Sequence, residues 1–342
     1  MVGLKIGLDI GSGAVTAAVE GNKGVVLSEP AVLALEAETG KILAAGEEAC
    51  RMTGRCPDAI RLTRPLLGSG IAELQATQEL LRIFLEKICK NKIFKPTVAA
   101  TMPAGITNLE KRNLLGCVLR AGAGRAVLIE EPLAAALGIG VMTDKPYGTM
   151  IVNVGAGTTG VAVITMGSVA VAKTVPVGGN LMDEQIKHYL KVNRGVSVGR
   201  LTSEELKKTL GGAKMRDEAI AAIARGKELS GGMPLYFEVT AQEVNFAIRD
   251  SVDAICRAVQ SVLEVTPPEL LRDIADDGIF LCGGLSDLYG LDDAISQATG
   301  IRVKIPGNVT GAAAIGCLRA LTTENYLSQN GYPFVTLETL DI

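Results

Sequence analysis

Hydrophobic and polar positions alternate as they do in strands in two segments that share one layout. Apolar residues dominate positions 4–10, a glycine turn follows at 11–13, and a second β-rich run covers 14–19. Positions 149–154, 155–157 and 160–164 repeat this arrangement, with Asp9 in the first unit and Asn153 in the second. A repeated unit of this kind predicts a duplicated α/β fold with a cleft between its two halves.

Three capping boxes predict where helices begin. In each box a Thr and a Glu three residues later satisfy the free backbone amides of a helix start reciprocally. The pairs are Thr107 with Glu110, Thr202 with Glu205, and Thr240 with Glu243. The third helix carries an apolar stripe at helical spacing, which is typical of a side that faces the core. Prolines at 267 and 268 predict the end of that helix and the start of the next.

One uncharged run, positions 146–172, is long enough to cross a bilayer. It contains five glycines and Asn153, and its apolar residues alternate. We therefore predict buried sheet rather than a transmembrane helix.

Composition narrows the range of functions. The 342 residues are enough for two domains, each with its own core. A net charge of -3 argues against a partner nucleic acid, because phosphate-backbone binding needs a basic stripe. The single histidine, His188, excludes multi-histidine metal sites. Seven scattered cysteines, never in CxxC spacing, predict the reduced, mostly buried thiols of a cytoplasmic protein.

The glycine turns are candidate phosphate sites. Positions 155–160 satisfy GxGxxG, but β-branched, alternating residues follow, so a hairpin is predicted and not a dinucleotide-binding helix. Successive backbone N–H groups of a glycine turn can cradle phosphate, and two facing turns could clamp a β- and a γ-phosphate. Asp9 would then hold a hydrated Mg²⁺. The alternative is two ordinary hairpins whose glycines only make tight turns.

Further motifs give the chain a family resemblance. They are Leu8-Asp9-Ile10-Gly11-Ser12-Gly13, Arg64-Pro65, Pro103-Ala104-Gly105-Ile106-Thr107, Arg120-Ala121-Gly122-Ala123, Glu130-Glu131-Pro132, Gly155-Ala156-Gly157-Thr158-Thr159, Val177-Gly178-Gly179, Thr266-Pro267-Pro268-Glu269 and Gly283-Gly284. Over roughly residues 4–321 the chain resembles a divergent member of the MreB family of bacterial actin-like, cell shape-determining proteins. The resemblance implies an α/β, actin-like fold, a duplicated RNase H-like ATPase architecture of two lobes and four subdomains.

The same resemblance implies domain boundaries. Residues 1–145 would form the first lobe, with a small subdomain at about 33–65. Residues 146–314 would form the second lobe, with a small subdomain at about 182–245, and residues 315–342 would return to the first lobe.

By resemblance, ATP and Mg²⁺ would bind between the lobes. The residues implied for phosphate, metal and adenosine are Asp9, Gly11, Ser12, Gly13, Ala14, Gly155, Ala156, Gly157, Thr158, Thr159, Glu204, Lys207, Gly283, Gly284, Leu285 and Ser286. Glu131 would position the attacking water; the alternative is an acidic first helical residue favoured by the helix dipole. For Glu204 and Lys207 the alternative is a solvated helix face, with Glu204 paired to Lys208.

Departures from the family pattern bear on catalysis. Asn153 stands where the family has an Asp that helps to order Mg²⁺, and Ala14 replaces an Asn. Gly160 replaces a Glu, the pair at 180–181 replaces two acidic residues, and Leu285 replaces a glycine. Losing one preorganised charge typically costs about 10²–10³ in rate. We therefore expect retained nucleotide binding with weakened hydrolysis.

A surface loop is a candidate membrane contact. Ile93 and Phe94 follow an apolar helix face, and family members place a hydrophobic pair here that enters the inner membrane leaflet. Basic residues surround the pair: Arg82, Lys87, Lys90, Lys92 and Lys95, against Glu86. The alternative is that Ile93 and Phe94 fold back onto the core.

The function implied is a cytoskeletal filament at the inner face of the cell membrane that guides cell-wall synthesis and rod shape. Its implied partners are further copies of the chain, an anionic membrane surface, and RodZ, MreC and MreD. Two alternatives stay open. One is a non-polymerising actin-fold ATPase that acts as a chaperone or reactivation factor, and the other is a scaffold without nucleotide turnover.

Overall fold

Two five-stranded sheets form the frame of the molecule. The computed structural model describes residues 3–68, 70–90, 93–141, 145–216, 218–307, 309–329 and 334–340. The amino-terminal elements are β1 (Lys5–Ile10), β2 (Ala14–Val19), β3 (Val25–Pro30), β4 (Leu33–Glu36), β5 (Ile42–Ala45), α1 (Glu47–Arg51), β6 (Ile60–Thr63), β7 (Leu66–Leu67), β8 (Gly70–Ile71), α2 (Leu74–Ile88), β9 (Thr97–Met102), α3 (Asn108–Arg120), β10 (Arg125–Glu130) and α4 (Glu131–Ile139).

The second half repeats the frame and ends in helices. Its elements are β11 (Thr149–Val154), β12 (Thr159–Thr165), β13 (Ser168–Val175), α5 (Gly179–Arg194), β14 (Val196–Ser197), α6 (Arg200–Leu210), β15 (Ala221–Glu228), β16 (Pro234–Thr240), α7 (Ala241–Glu264), α8 (Pro268–Asp277), β17 (Ile279–Cys282), α9 (Leu291–Thr299), β18 (Val303–Lys304), α10 (Ala312–Thr322), α11 (Glu324–Gln329) and α12 (Leu337–Leu340).

The two large sheets have the same topology, as the internal repeat predicts. The first runs β3-β2-β1-β9-β10 and the second β13-β12-β11-β17-β18. In each, three antiparallel strands precede two parallel ones. Asp9 pairs with Thr16 and Asn153 with Gly160, so Asp9 and Asn153 hold equivalent positions. The uncharged run 146–172 contributes β11, β12 and part of β13, which confirms the prediction of sheet.

Two small three-stranded sheets extend from this frame. One is β5-β4-β6 and the other β14-β15-β16. They fall within the ranges expected for the small subdomains, whose boundaries stay a prediction. The segment after α10 returns to the first sheet, where Val335 and Leu128 exchange backbone hydrogen bonds of 3.2 and 2.8 Å. Of the helices in the described ranges, none combines the length and apolar character that a membrane span requires.

Helix starts follow the capping boxes in two of three places. Thr107 and Thr240 form complete boxes with Glu110 and Glu243, and α8 begins at Pro268 as predicted. The prediction for Thr202 is wrong, because α6 already begins at Arg200. Arg200 donates to Asn180 Oδ1 at 2.7 Å, so the helix is anchored at its first residue and Thr202 lies inside it.

The cysteines also differ from the expectation of mostly buried thiols. All seven are free, as predicted, but only Cys117, Cys282 and Cys317 are buried. The other four are partly exposed, because they lie on helices or loops near the surface.

A close crossing of α4 and α10 fills the space between the two large sheets. The core there joins Ile129 of the first sheet and Ile151 of the second to the alanines of both helices. A Cβ on Gly316 would lie 1.7 Å from the carbonyl oxygen of Ala134. The same atom on Gly138 would lie 1.8 Å from the carbonyl oxygen of Ala312. The two backbones therefore touch, and neither glycine can carry a side chain without moving a helix.

This crossing predicts the cost of a single methyl group. We expect Gly316→Ala to lower the free energy of unfolding by about 1–3 kcal/mol, the usual cost of overpacking a dense interior. Chemical denaturation measures it. The control is Gly307→Ala, where a Cβ meets no atom within 4 Å and where stability should stay within about 0.5 kcal/mol of wild type. Equal stability of both variants would contradict the crossing.

Candidate functional site

Two glycine turns, one from each large sheet, face each other across a cleft. The turn after β1 is closed by a hydrogen bond from Gly11 N–H to the Ala14 carbonyl, 3.1 Å. The turn after β11 is closed in the same way, from Gly155 N–H to the Thr158 carbonyl, 2.8 Å. Both strands are followed by glycine, which permits the tight reversal at the cleft.

The turns pack directly against each other. A Cβ on Gly13 would lie 2.4 Å from the Cβ of Ala156, and one on Gly157 would lie 2.1 Å from Ser12 Oγ. Such distances leave no space for any side chain at either glycine. The two turns therefore lie in contact, and glycine turns of this kind can present main-chain amides to an anion.

Four polar residues lie at the floor of the cleft, at the carboxyl ends of parallel strands. Asp9 Oδ1 accepts a hydrogen bond from Thr101 Oγ1 at 2.8 Å, and Thr101 Oγ1 accepts one from Ile10 N–H at 3.1 Å. Asn153 Nδ2 donates to Glu131 Oε1. Glu131 is the first residue of α4 and follows β10 directly. Two carboxyl groups thus lie below the turns, each with one polar partner.

The opposite wall is built from α5, α6 and the loop after β17. Glu204 and Lys207 lie one helical turn apart and both line the cleft. Gly283, Gly284 and Leu285 form the adjoining loop, and Leu285 N–H donates to the Val154 carbonyl at 3.1 Å. Lys207 Nζ donates to the Gly179 carbonyl at 2.9 Å and lies 2.7 Å from Asp183 Oδ1. The implied contact of Lys207 with the nucleobase therefore stays a prediction.

The cavity between these walls has a volume of about 860 Å³. Most of the residues implied by the family resemblance line it. Two do not face it, Thr159 and Ser286. Thr159 is fully buried and its hydroxyl donates to the Val177 carbonyl at 2.8 Å. Ser286 is 2% exposed and donates to the Gly283 carbonyl at 2.8 Å. Both hydroxyls stabilise the backbone behind the cavity instead.

Comparison with known proteins assigns the family. The family model described as MreB/Mbl protein matches residues 3–329. The chain belongs to the MreB/Mbl family. It is 37% identical to the cell shape-determining protein Mbl of Bacillus subtilis, over 91% of this chain and 93% of Mbl. It is 34% identical to the cell shape-determining protein MreB of Escherichia coli, over 92% of each chain.

Solved structures agree with the family assignment. The structure of MreB5 of Spiroplasma citri bound to ADP superimposes with a TM-score of 0.90, at 29% identity, and covers 96% of this chain and 99% of its own. The same protein bound to AMPPNP gives a TM-score of 0.90 at 30% identity, covering 97% and 99%. The prediction of an actin-like fold is confirmed.

The sequence motifs predict no site role for several residues that line this MreB/Mbl cleft. They are Cys50, Arg64, Thr101, Asp183, Arg200, Arg216 and Tyr289. Arg64 belongs to the Arg64-Pro65 motif, and Thr101 is the penultimate residue of β9, the strand that pairs with β1. Arg216 lies over the Tyr289 ring, with its guanidinium carbon 4.3 Å from the ring centroid. Burial and the nearby Arg200 lower the pKa of Arg64, so cations are concentrated along one side of the cleft.

Metal binding at the floor would depend on ligand oxygens. Across the residues that the structure describes, no group of three or more His, Cys, Asp and Glu side chains is arranged to hold a metal ion. Asp9 lies close enough to Glu131 for their charges to interact. One or two carboxylates together with phosphate and water is the ligand set that Mg²⁺ prefers, so the residues present fit a nucleotide-bound Mg²⁺.

The two residues predicted to contact a membrane are exposed in this family member. Ile93 is 92% exposed and Phe94 47%, so neither folds back onto the core. The unpaired positive charge around this loop is smaller than the number of basic residues between positions 82 and 95 suggests. Arg82 bonds to Glu79 and Glu86, and Lys87 bonds to Glu29 at 2.7 Å. Lys90 and Lys95 are exposed, and Lys92 lies outside the described residues.

Burial raises the pKa values of the two carboxyl groups at the floor of the cleft. Desolvation raises the pKa of Glu131 from 4.5 to about 8, the charge of Asp9 adds to this rise, and the hydrogen bond from Asn153 opposes it. Burial also raises the pKa of Asp9, against the hydrogen bond from Thr101. Near neutral pH the empty cleft therefore favours a protonated Glu131, and a bound cation would favour its charged form.

This titration predicts a pH dependence of stability. Between pH 4.5 and 8 the folded protein binds more protons at Glu131 than the unfolded chain, so the free energy of unfolding falls as pH rises. The slope is at most about 1.4 kcal/mol per pH unit. In Glu131→Gln this component is absent, so we expect the variant to gain stability relative to wild type across that interval. Denaturation of nucleotide-free protein at several pH values measures the difference, and parallel curves would contradict it.

Proposed function

We propose that the cleft binds ATP with Mg²⁺ and that the protein assembles into membrane-associated filaments that organise cell-wall synthesis and cell shape. The contact between the two glycine turns above Asp9 and Glu131 is the observation that carries nucleotide binding. Amides of two touching turns could hold one anion, and Asp9 and Glu131 line the same cavity. The relatives named as cell shape-determining, and the MreB5 structures bound to ADP and AMPPNP, support the same proposal.

In this proposal each part of the cleft has a separate task. The amides of residues 12–14 and 156–158 would hold the β- and γ-phosphates, and Asp9 would hold a hydrated Mg²⁺. The metal ion supplies charge neutralisation on the phosphates. Glu131 would orient the attacking water and accept a hydrogen bond from it in its charged form. Glu204, Gly284 and Leu285 border the space for ribose and base.

Asn153 weakens hydrolysis in this scheme. Its amide group donates to Glu131, which ties up the oxygen that would accept from water, and it adds no negative charge near the metal. The replacement of the family's Asp by Asn at position 153 leaves nucleotide binding unaffected in this proposal, because the phosphates would contact the turns.

Restoring a carboxylate tests this role of Asn153. We expect Asn153→Asp to raise the rate of phosphate release from MgATP by about 10²-fold, the scale of one preorganised electrostatic group. Asn22→Asp makes the same change at an exposed turn and should leave the rate unchanged. A phosphate-release assay with both variants measures this. Wild-type turnover at ordinary family rates, or an unchanged rate in Asn153→Asp, would contradict the hypothesis.

Filament assembly and membrane attachment are tested together. Ile93 and Phe94 are exposed side by side, and burial of each in lipid contributes about 1.5–3 kcal/mol. Each lysine near an anionic surface adds about 1 kcal/mol. The proposed location is therefore the inner face of the cell membrane, where the cell-wall elongation partners RodZ, MreC and MreD would be reached.

Electron microscopy on an anionic lipid monolayer is the deciding experiment. We expect wild-type filaments with MgATP and dispersed particles without it. Ile93→Ser with Phe94→Ser should abolish binding to the lipid, whereas Phe246→Ser, an aromatic residue 66% exposed on α7, should not. Dispersed particles under both nucleotide conditions would favour the non-polymerising ATPase or the scaffold. A double variant that still floats with liposomes would contradict the membrane loop.

A further inference from the structure

The second glycine turn is held from behind by the start of α5. Gly179 N–H donates to the Gly155 carbonyl at 3.1 Å, and Asn180 N–H donates to the Ala156 carbonyl at 2.7 Å. These are the first two residues of the helix, whose amides have no partner within the helix itself. The carbonyls of Gly155 and Ala156 are thus fixed by the start of α5.

Lys207 of α6 fixes this helix start in turn. Its ammonium donates to the Gly179 carbonyl at 2.9 Å and lies 2.7 Å from Asp183 Oδ1. The Asp183 contact is an ion pair and not a well-aligned hydrogen bond. The side chains of Lys207 and Asp183 are only 9% and 3% exposed, so this charge pair lies inside the wall of the cleft.

A buried ammonium needs a partner of opposite charge. Removing one member of a buried pair leaves the other desolvated and uncompensated. Without the Asp183 carboxylate, the Lys207 side chain would turn to solvent. Gly179 would then lose the cation on its carbonyl, and the first turn of α5 would lose its connection to α6.

We propose that Asp183 is a positioning residue for the second glycine turn, acting through Lys207 and the first turn of α5. Asp183 has no direct contact with the turn. Its importance for ligand binding rests on the proposed function, since the turn that it positions is the proposed phosphate cradle. Its effect on the backbone is independent of any ligand.

Hydrogen exchange of the nucleotide-free protein tests the backbone effect. In Asp183→Asn, which keeps the shape of the side chain, we expect the amides of Gly179 and Asn180 to exchange about tenfold faster than in wild type. Amides near Leu190, at the other end of α5, should keep wild-type rates. The control Glu184→Gln removes the neighbouring carboxylate, which pairs with Lys187 at the surface at 2.8 Å, and should change neither.

Two outcomes of this experiment would overturn the proposal. One is unchanged exchange at Gly179 and Asn180 in Asp183→Asn, and the other is equally faster exchange along the whole of α5. A double variant tests the route through Lys207. Asp183→Asn combined with Lys207→Met should exchange no faster at Gly179 than Lys207→Met alone, and additive effects would contradict that route.

Ligand competition separates the phosphate end from the nucleoside end. With a fluorescent ATP analogue as the probe, we expect Asp183→Asn to weaken ATP binding about tenfold more than it weakens adenosine binding. Equal weakening of ATP and adenosine would place Asp183 at the nucleoside and overturn the proposal. A wild-type protein that binds no ATP contradicts the proposed function alone, because hydrogen exchange still decides the role of Asp183.

Discussion

The geometry of the cleft depends on how closely α4 and α10 cross between the two large sheets. Their backbones touch at Gly138 and Gly316, and alanines fill the rest of the contact. This crossing sets the distance between the sheets, and therefore the distance between the turns that end β1 and β11. It also fixes Glu131, because that residue opens α4. In a close-packed interior, a displacement here is transmitted and not absorbed.

The two turns are equivalent in their own hydrogen bonds but are supported differently. The carbonyl of Gly13 accepts a hydrogen bond from Ala31 N–H at 3.1 Å, so the segment between β3 and β4 holds the first turn. The first two amides of α5 hold the second turn. Those amides are used by Gly155 and Ala156 and are not free for an anion. The contribution of α5 to ligand binding is therefore its dipole and its rigidity, and not direct hydrogen bonds.

The sequence predicted the hairpins, two capping boxes and most of the cleft, because repeats, capping and glycine turns are local signals. Prediction failed where contacts between distant parts of the chain determine a helix start, a side-chain direction or an ion pair. Thr202 lost its capping role to an anchor between Arg200 and Asn180. Thr159 opens β12 and Ser286 lies in the loop after β17, but both hydroxyls bond to backbone behind the cavity, since a motif does not define side-chain direction. The sequence predicts unpaired positive charges at Arg82 and Lys87. In the structure Arg82 pairs with Glu79 and Glu86, and Lys87 pairs with the distant Glu29. Asp183 has no local signal, because its partner is on another helix.

The amide at position 153 changes the balance between an empty and an occupied cleft. A carboxylate there would add a third carboxyl group near Asp9 and Glu131, and burial already raises the pKa of both. Such a group repels its neighbours until a divalent cation arrives, and the cation is then held more firmly. Asn153 removes that repulsion and donates to Glu131 instead. The empty cleft thereby gains stability and the cation loses a source of attraction. Under the proposed function, such a site would favour holding nucleotide over cleaving it, because the glycine turns proposed to bind phosphate are left intact while the electrostatics of the attacking water are weakened.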